Sequence, residues 1–213
     1  METILKLSSR KEVYGIIDRD FRTDKEVAKC NKQLNTHLFI LWRYAIENYL
    51  LEPLAVWDEL KTYHGRNFAD TVEMISNELM NICSQLKTIM AVNWVIKESN
   101  TDANYFKKGH TISDRDEIIR QASRRLHYDI TTTEKKVRTK EKLIESKLGI
   151  LEDAYTCING KHIFHQIYEK YVNSIKRGLR KDHFRNLLTR NVKEKTGIHN
   201  DLKIIVRERI LKE

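Results

Sequence analysis

Val13-Tyr14-Gly15-Ile16-Ile17-Asp18-Arg19-Asp20-Phe21 is the stretch on which the fold turns. An apolar run rich in β-branched residues ends in two acids separated by one residue. The run reads as a short buried strand of a parallel sheet. Side chains alternate along a strand, so Asp18 and Asp20 point the same way and Arg19 points away from them. Both acids then sit at the strand's carboxyl end, where open α/β sheets bind ligands. Two carboxylates held close together repel each other unless a cation or proton lies between them. Oxygen-only ligands of this kind suit Mg2+ or Mn2+. The plain structural alternative is a polar turn after the strand, with Arg19 neutralising its neighbours, because a D-x-D motif is short.

Working outward, Thr23-Asp24-Lys25-Glu26 carries a capping-box pattern and predicts a helix from Asp24 to Leu34. Asn35-Thr36 turns the chain, and His37-Leu38-Phe39-Ile40-Leu41-Trp42 reads as a second strand. Two strands joined by a helix form a parallel, right-handed βαβ unit. Glu47 lies just past the second strand, in the first turn of a following helix. If the strands are neighbours, Glu47 can approach Asp18 and Asp20. The competing reading is an exposed glutamate at a helix N-terminus. Pro53 starts the next helix, so residues 1–65 form an α/β region.

After Gly65 the pattern becomes helical. Phe68, Val72, Ile75, Leu79, Ile82, Leu86 and Ile89 alternate steps of four and three, one apolar stripe on a helix from Asn67 to about Lys97. Packing within a helical bundle is expected rather than a coiled coil, with Met90 and Trp94 in the core. Asn100 to Thr111 reads as a loop. Ser113 is expected to cap a helix to about His127, and Thr132 or Thr133 another up to Gly149. These helices carry Arg115, Arg120, Arg124, Arg125, Lys135, Lys136, Arg138, Lys140 and Lys142, which are either solvated faces or phosphate contacts. A helix follows Gly160-Lys161, with Phe164, Tyr168 and Phe184 expected in the core rather than stacking on bases, and a last one spans Asp201 to Leu211. The fold class is thus α/β: a partial parallel sheet followed by a mainly α-helical region over residues 66–213.

The 213 residues carry a net charge of +9, with 32% charged residues and one proline. That balance favours polyanionic partners such as nucleic acid. From Lys161 to Lys195 ten Lys/Arg face three Asp/Glu. No apolar run is long enough to span a membrane, and the N-terminus lacks a signal pattern. Cys30, Cys83 and Cys157 form no C-x-x-C pair, which points away from disulfides and zinc and towards a reducing cytoplasm. Gly160-Lys161 is not a phosphate-binding P-loop: no glycine lies five residues earlier, and His162 stands where Ser or Thr would hold Mg2+. His162 and His165, with no third ligand, read as incidental.

Gly15-Ile16-Ile17-Asp18-Arg19-Asp20-Phe21, followed by Ala45-Ile46-Glu47-Asn48-Tyr49-Leu50-Leu51 and later by Ile158-Asn159-Gly160-Lys161-His162-Ile163-Phe164, resembles the Toprim-type domain of ABC/AAA-ATPase-associated proteins. That group includes the OLD (overcoming lysogenization defect) nucleases and related phage-defence effectors. The resemblance implies a Toprim-like sheet and a Mg2+-dependent nuclease. Asp18, Asp20 and Glu47 would hold the metal, and Lys161 would be the catalytic lysine that stabilises transition-state charge. It also implies an ATPase partner or fused ATPase domain and a role in antiviral defence. Toprim-type domains begin with a strand that delivers a glutamate, whereas only twelve residues precede Val13 and their acids, Glu2 and Glu12, follow no apolar strand. The resemblance therefore implies a fragment, a degenerate member, or a half-site supplied by a partner chain, with weak Mg2+ binding and poor cleavage by this chain alone. The competing function is a non-catalytic module that docks on an ATPase or pairs as a homodimer. Primase-like or topoisomerase-like chemistry ranks last, since neither a catalytic tyrosine context nor a zinc motif is seen.

Overall fold

The computed structural model describes residues 15–32, 38–99, 105–106, 114–174, 179–197 and 199–204. Strand β1 (Gly15–Ile17) pairs in parallel with β2 (Leu38–Ile40), Gly15 opposite Leu38 and Ile17 opposite Ile40. Helix α1 (Asp24–Lys32) connects them, as the βαβ pattern predicts. Its capping box forms: Thr23 N donates to Glu26 Oε2 at 2.7 Å, and Glu26 N donates to Thr23 Oγ1 at 3.3 Å. Asn31 then clamps α1 to the outer edge of β2. Its Nδ2 donates to Ile40 O at 2.8 Å and its Oδ1 accepts from Ile40 N at 2.9 Å, so an edge that would otherwise be open is satisfied by a side chain.

β1 departs from the expected buried strand. Ile16 is 48% exposed, because among the described residues the sheet has only two strands and nothing covers this face. Residues 1–14, which include the start of the expected strand, and His37 lie outside the described residues.

Glu47 lies in the first turn of the following helix, as expected, and that helix is a 3-10 turn, Ile46–Leu50. Pro53 reopens the chain as α2 (Pro53–His64) only three residues on, which leaves room for a single tight turn. Helix α3 (Val72–Glu98) is capped by Thr71 Oγ1, which accepts from Met74 N at 3.2 Å. It starts later than predicted, because Gly65–Asn67 form their own 3-10 turn. Ile75, Leu79, Ile82, Leu86 and Ile89 are buried as the stripe predicts. From Ile89 to Ile96 every residue is buried. An amphipathic helix would show a polar face there, so α3 ends as a central helix surrounded on all sides.

Around it pack α4 (Arg115–Leu126) and α5 (Ile130–Glu145), capped by Asp114 and Asp129. Each cap is an acid: Asp114 follows Ser113, which lies outside the described residues, and Asp129 precedes the predicted Thr132 or Thr133. A carboxylate accepts the orphan N–H groups at least as well as a hydroxyl. Helix α6 (Leu151–Ala154) is one turn, and α7 (Gly160–Ile167) continues in π-helical turns over Tyr168–Asn173. Helices α8 (Lys181–Asn191) and α9 (Asn200–Ile204) follow, and the predicted helix beyond 204 lies outside the described residues. After Gly65 no described residue is in a strand. A single core runs from Tyr44 and Leu51 through α3 to Ile163 and Phe184.

The joint between the α/β stretch and the helices is Asn48, which is fully buried. Its Oδ1 accepts from Ala45 N at 2.9 Å and from Gly160 N at 3.0 Å, and its Nδ2 donates to Ile158 O at 3.0 Å. A Cβ at Gly160 would lie 2.5 Å from Asn48 N, so only glycine fits there. We expect Asn48→Ala to lower unfolding free energy by about 3–5 kcal/mol, since two buried N–H groups and a carbonyl lose their partner. Gly160→Ala should cost at least about 2 kcal/mol through overpacking against backbone. Urea denaturation measures both; a loss below about 1 kcal/mol for either would contradict this account of the joint.

Candidate functional site

Strand β1 ends at Ile17, and the chain then delivers Asp18 and Asp20 to the surface above the start of the 3-10 helix. Asp18 Oδ1 accepts from Ile46 N at 3.1 Å, and its Oδ2 accepts from Lys161 Nζ at 3.1 Å. The same ammonium lies 4.0 Å from Glu47 Oε2. That is charge proximity rather than a hydrogen bond. The carboxylate oxygens of Asp18 and Glu47 can therefore be no farther apart than those two lengths laid end to end. Asp18, Glu47 and Lys161 come from three segments distant in sequence.

Their neighbours explain the convergence. Glu47 precedes Asn48, and Lys161 follows Gly160, so the Asn48–Gly160 stitch brings these two side chains within 4.0 Å. Asn159 caps α7, its Oδ1 accepting from Lys161 N at 2.9 Å, which fixes where the lysine leaves the backbone.

Glu47 is 7% exposed, and its Oε2 is buried without a hydrogen-bond partner. A buried carboxylate oxygen left unmatched costs free energy that a cation or donor would recover. Partial burial disfavours the Lys161 ammonium. Its hydrogen bond to Asp18 and the charges of Glu47, Asp18 and Asp20 outweigh that and hold its pKa above the usual lysine value. Lys161 thus stays cationic at any physiological pH.

Asp20 does not share the ion pair. It takes a left-handed backbone, φ 51°, and its N–H donates to Tyr44 O at 3.1 Å. Strand alternation therefore stops at Ile17, and tertiary contacts rather than a β pleat place Asp20. Burial first, and then the Asp18 charge, push its carboxyl above the ordinary range, while Arg22, Lys161 and Lys97 partly offset this. Arg19 does not neutralise Asp18 or Asp20, as the turn reading would have it. It is buried, donating from Nε to Arg22 O at 2.8 Å, from Nη1 to Trp42 O at 2.9 Å and from Nη2 to Asp24 at 2.6 Å.

Among the described residues, no group of three or more His, Cys, Asp or Glu is arranged to hold a metal ion. Asp18 and Glu47 together still match the way Mg2+ is commonly bound, through one or two carboxylates with water and substrate phosphate completing the shell. The unpartnered Glu47 Oε2 is the atom that such a cation would satisfy. Among the described residues no helix is long and apolar enough to cross a membrane.

The basic helices are only partly free for phosphate. Arg115 is bound to Glu141 and Glu134, and Lys140 to Glu98. Lys135, Arg138 and Lys142 stay exposed on the outer face of α5 and join no ion pair among the described residues. Phe164, Tyr168 and Phe184 are core residues, as the spacing predicts. Sequence reasoning missed Asn48 and Gly160 as joint residues, although both lie in stretches it singled out; a glycine facing a buried amide leaves no mark in periodicity. Compared with family models, curated proteins and solved structures, the chain has no match in any of the three.

The raised Asp20 carboxyl gives a signed expectation. Folding favours its protonated form, so its contribution to stability is full below the ordinary aspartate value and is lost as pH rises through the folded midpoint. Carbon-13 titration should place Asp20 above the ordinary aspartate range. In Asp18→Asn the midpoint should fall but not reach the ordinary value, since burial remains. An unchanged midpoint in Asp18→Asn would show that the two carboxylates do not sense each other.

Proposed function

We propose that this chain is a Mg2+- or Mn2+-dependent nuclease module of the Toprim-like kind, cleaving DNA or RNA phosphodiesters. The observation that carries this reading is the convergence of Asp18, Glu47 and Lys161 around a buried carboxylate oxygen with no partner. Asp18 and Glu47 would hold the cation, with Asp20 beside them. When bound, a divalent cation supplies a water activated at neutral pH and neutralises charge on the phosphate.

The chain's own residues divide the rest. Lys161 is too firmly protonated to act as a base, so its role is electrostatic: an ammonium that stabilises charge developing on a phosphate oxygen. Its side chain is 45% exposed and can swing from Asp18 to a substrate without leaving a buried pocket. Ile46 N holds one Asp18 oxygen, which fixes that carboxylate's orientation. Exposed basic side chains of α5 would hold the nucleic acid backbone. The family resemblance adds an ABC/AAA-type ATPase partner and a role in phage defence to the proposal.

A second reading has its own support. Lys161 already satisfies Asp18, and Ile16, Trp42 and Ile46 are exposed around the end of the strands. On that reading the cluster is a structural ion pair, and the apolar surface docks on an ATPase.

Calorimetric Mn2+ titration separates the two. The nuclease reading expects weak binding, reduced at least about tenfold in Glu47→Gln, with weak Mn2+-dependent cleavage of single-stranded DNA, duplex DNA or tRNA that Asp18→Ala abolishes. Mn2+ binding unaffected by Glu47→Gln, together with no Asp18-dependent cleavage, would overturn it in favour of the docking module.

A further inference from the structure

Next to Asp20, the chain gathers aromatic rings that the proposed chemistry does not use. The Phe21 ring lies 5.4 Å from Tyr44 edge-on, 6.0 Å from Trp94 and 6.2 Å from Tyr105, centroid to centroid. The last two pairs are tilted by only 34° and 37°. Tyr44 is buried and serves as a floor, whereas Tyr105 is 44% exposed. Tyr105 does not hang freely. Its neighbour Phe106 is clamped to α3 by Asn93, which accepts from Phe106 N at 2.8 Å and donates to Phe106 O at 3.0 Å. The exposed ring is thus held next to Asp20, whose charge it senses together with partial burial.

Cations continue the line. Lys97, on the last turn of α3, is exposed and within electrostatic reach of Asp20. Lys140 Nζ sits 4.7 Å over the Trp94 ring and also pairs with Glu98. Lys136 Nζ sits 5.4 Å over Tyr128. Lys136, Lys140 and Tyr128 line a groove of about 350 Å³ between the end of α3 and α5. Aromatic faces alternating with cations form the pattern that holds single strands. Each base offers a π-face, and stacking is independent of sequence. In a duplex those faces are already stacked, so an aromatic platform gains nothing there.

We propose that the surface from Asp20 over Phe21 and Tyr105 to Lys97, Lys140 and Lys136 binds single-stranded nucleic acid. An unstacked base lies on the Tyr105 and Phe21 rings, and the neighbouring phosphates lie on the lysines. This deepens the nuclease reading, on which it rests, by naming the substrate's strandedness. The base stays on the rim. The pocket behind Phe21 is only about 100 Å³, smaller than the roughly 150 Å³ cavity that encloses benzene.

The test is fluorescence anisotropy of the full chain with a labelled single-stranded oligonucleotide and with the duplex made from it, both in EDTA. We expect the single strand to bind at least about tenfold tighter than the duplex. Tyr105→Ala should weaken single-strand binding about tenfold and leave duplex binding unchanged, while Tyr105→Phe retains it. Lys97→Gln or Lys136→Gln should weaken both and flatten the salt dependence by about one unit per charge removed. Equal affinity for the two forms, equal loss in Tyr105→Ala, or no binding at all would overturn the proposal. Because the measurement needs no metal, its outcome is independent of cleavage. A chain that binds single strands in this pattern but never cleaves defeats only the nuclease reading. A chain that cleaves while Tyr105→Ala changes nothing defeats only this one.

Discussion

The buried amide of Asn48 is the interaction on which the arrangement depends. Three hydrogen bonds leave it, one to its own 3-10 turn and two to the segment that starts α7. A buried amide is tolerable only when it is satisfied, and a satisfied one fixes geometry more tightly than apolar contact does. The stitch requires backbone to approach side chain at Gly160, where a Cβ would collide with Asn48 N. The functional consequence follows from adjacency. Glu47 and Lys161 are the residues next to the stitched pair, so the contact that holds the fold together also brings a carboxylate and an ammonium from distant parts of the chain to one spot.

Electrostatics then decide what that spot can do. Asp18 and Glu47 meet at Lys161 and Asp20 senses the Asp18 charge, while Arg19, the nearest cation in sequence, is committed to Asp24 and to backbone carbonyls. Lys161 is the counter-charge shared by Asp18 and Glu47, hydrogen-bonding the first and only approaching the second, while Arg22 pairs with Asp20 at 3.8 Å. The Asp18–Glu47 pair therefore holds more negative charge than the one lysine between them neutralises. The half-exposed Asp20 responds by favouring its protonated form. Such a surplus is what a divalent cation or a bridging proton relieves, and it sits on a chain that is basic overall.

Helix α3 links this cluster to the rest of the surface. Its C-terminal half is buried all round, which makes it the axis against which α2, α4, α5 and α7 pack. From it Asn93 clamps Phe106, Trp94 meets Phe21, and Lys97 lies within electrostatic range of Asp20. A rigid core helix thus sets the spacing between the acidic cluster at the sheet end and the basic groove beside α5.

The sequence by itself determined the local elements. The capping box at Thr23 and Glu26, the parallel pair around Gly15–Ile17 and Leu38–Ile40, and the apolar stripe from Ile75 to Ile89 all follow from patterns of a few residues, which the backbone obeys regardless of what surrounds it. It also singled out Asp18, Asp20 and Glu47 from their places at the strand ends, and Lys161 through motif likeness alone. Tertiary structure decided the rest. The left-handed turn at Asp20, the exposure of Ile16, the diversion of Arg19 to Asp24 and the meeting of Asn48 with Gly160 depend on which segments come to lie together. None of these has a period, because each is a contact between residues whose separation along the chain carries no local information. The same holds for the ring cluster of Phe21, Trp94 and Tyr105, three residues far apart in sequence that only the folded core brings within stacking distance.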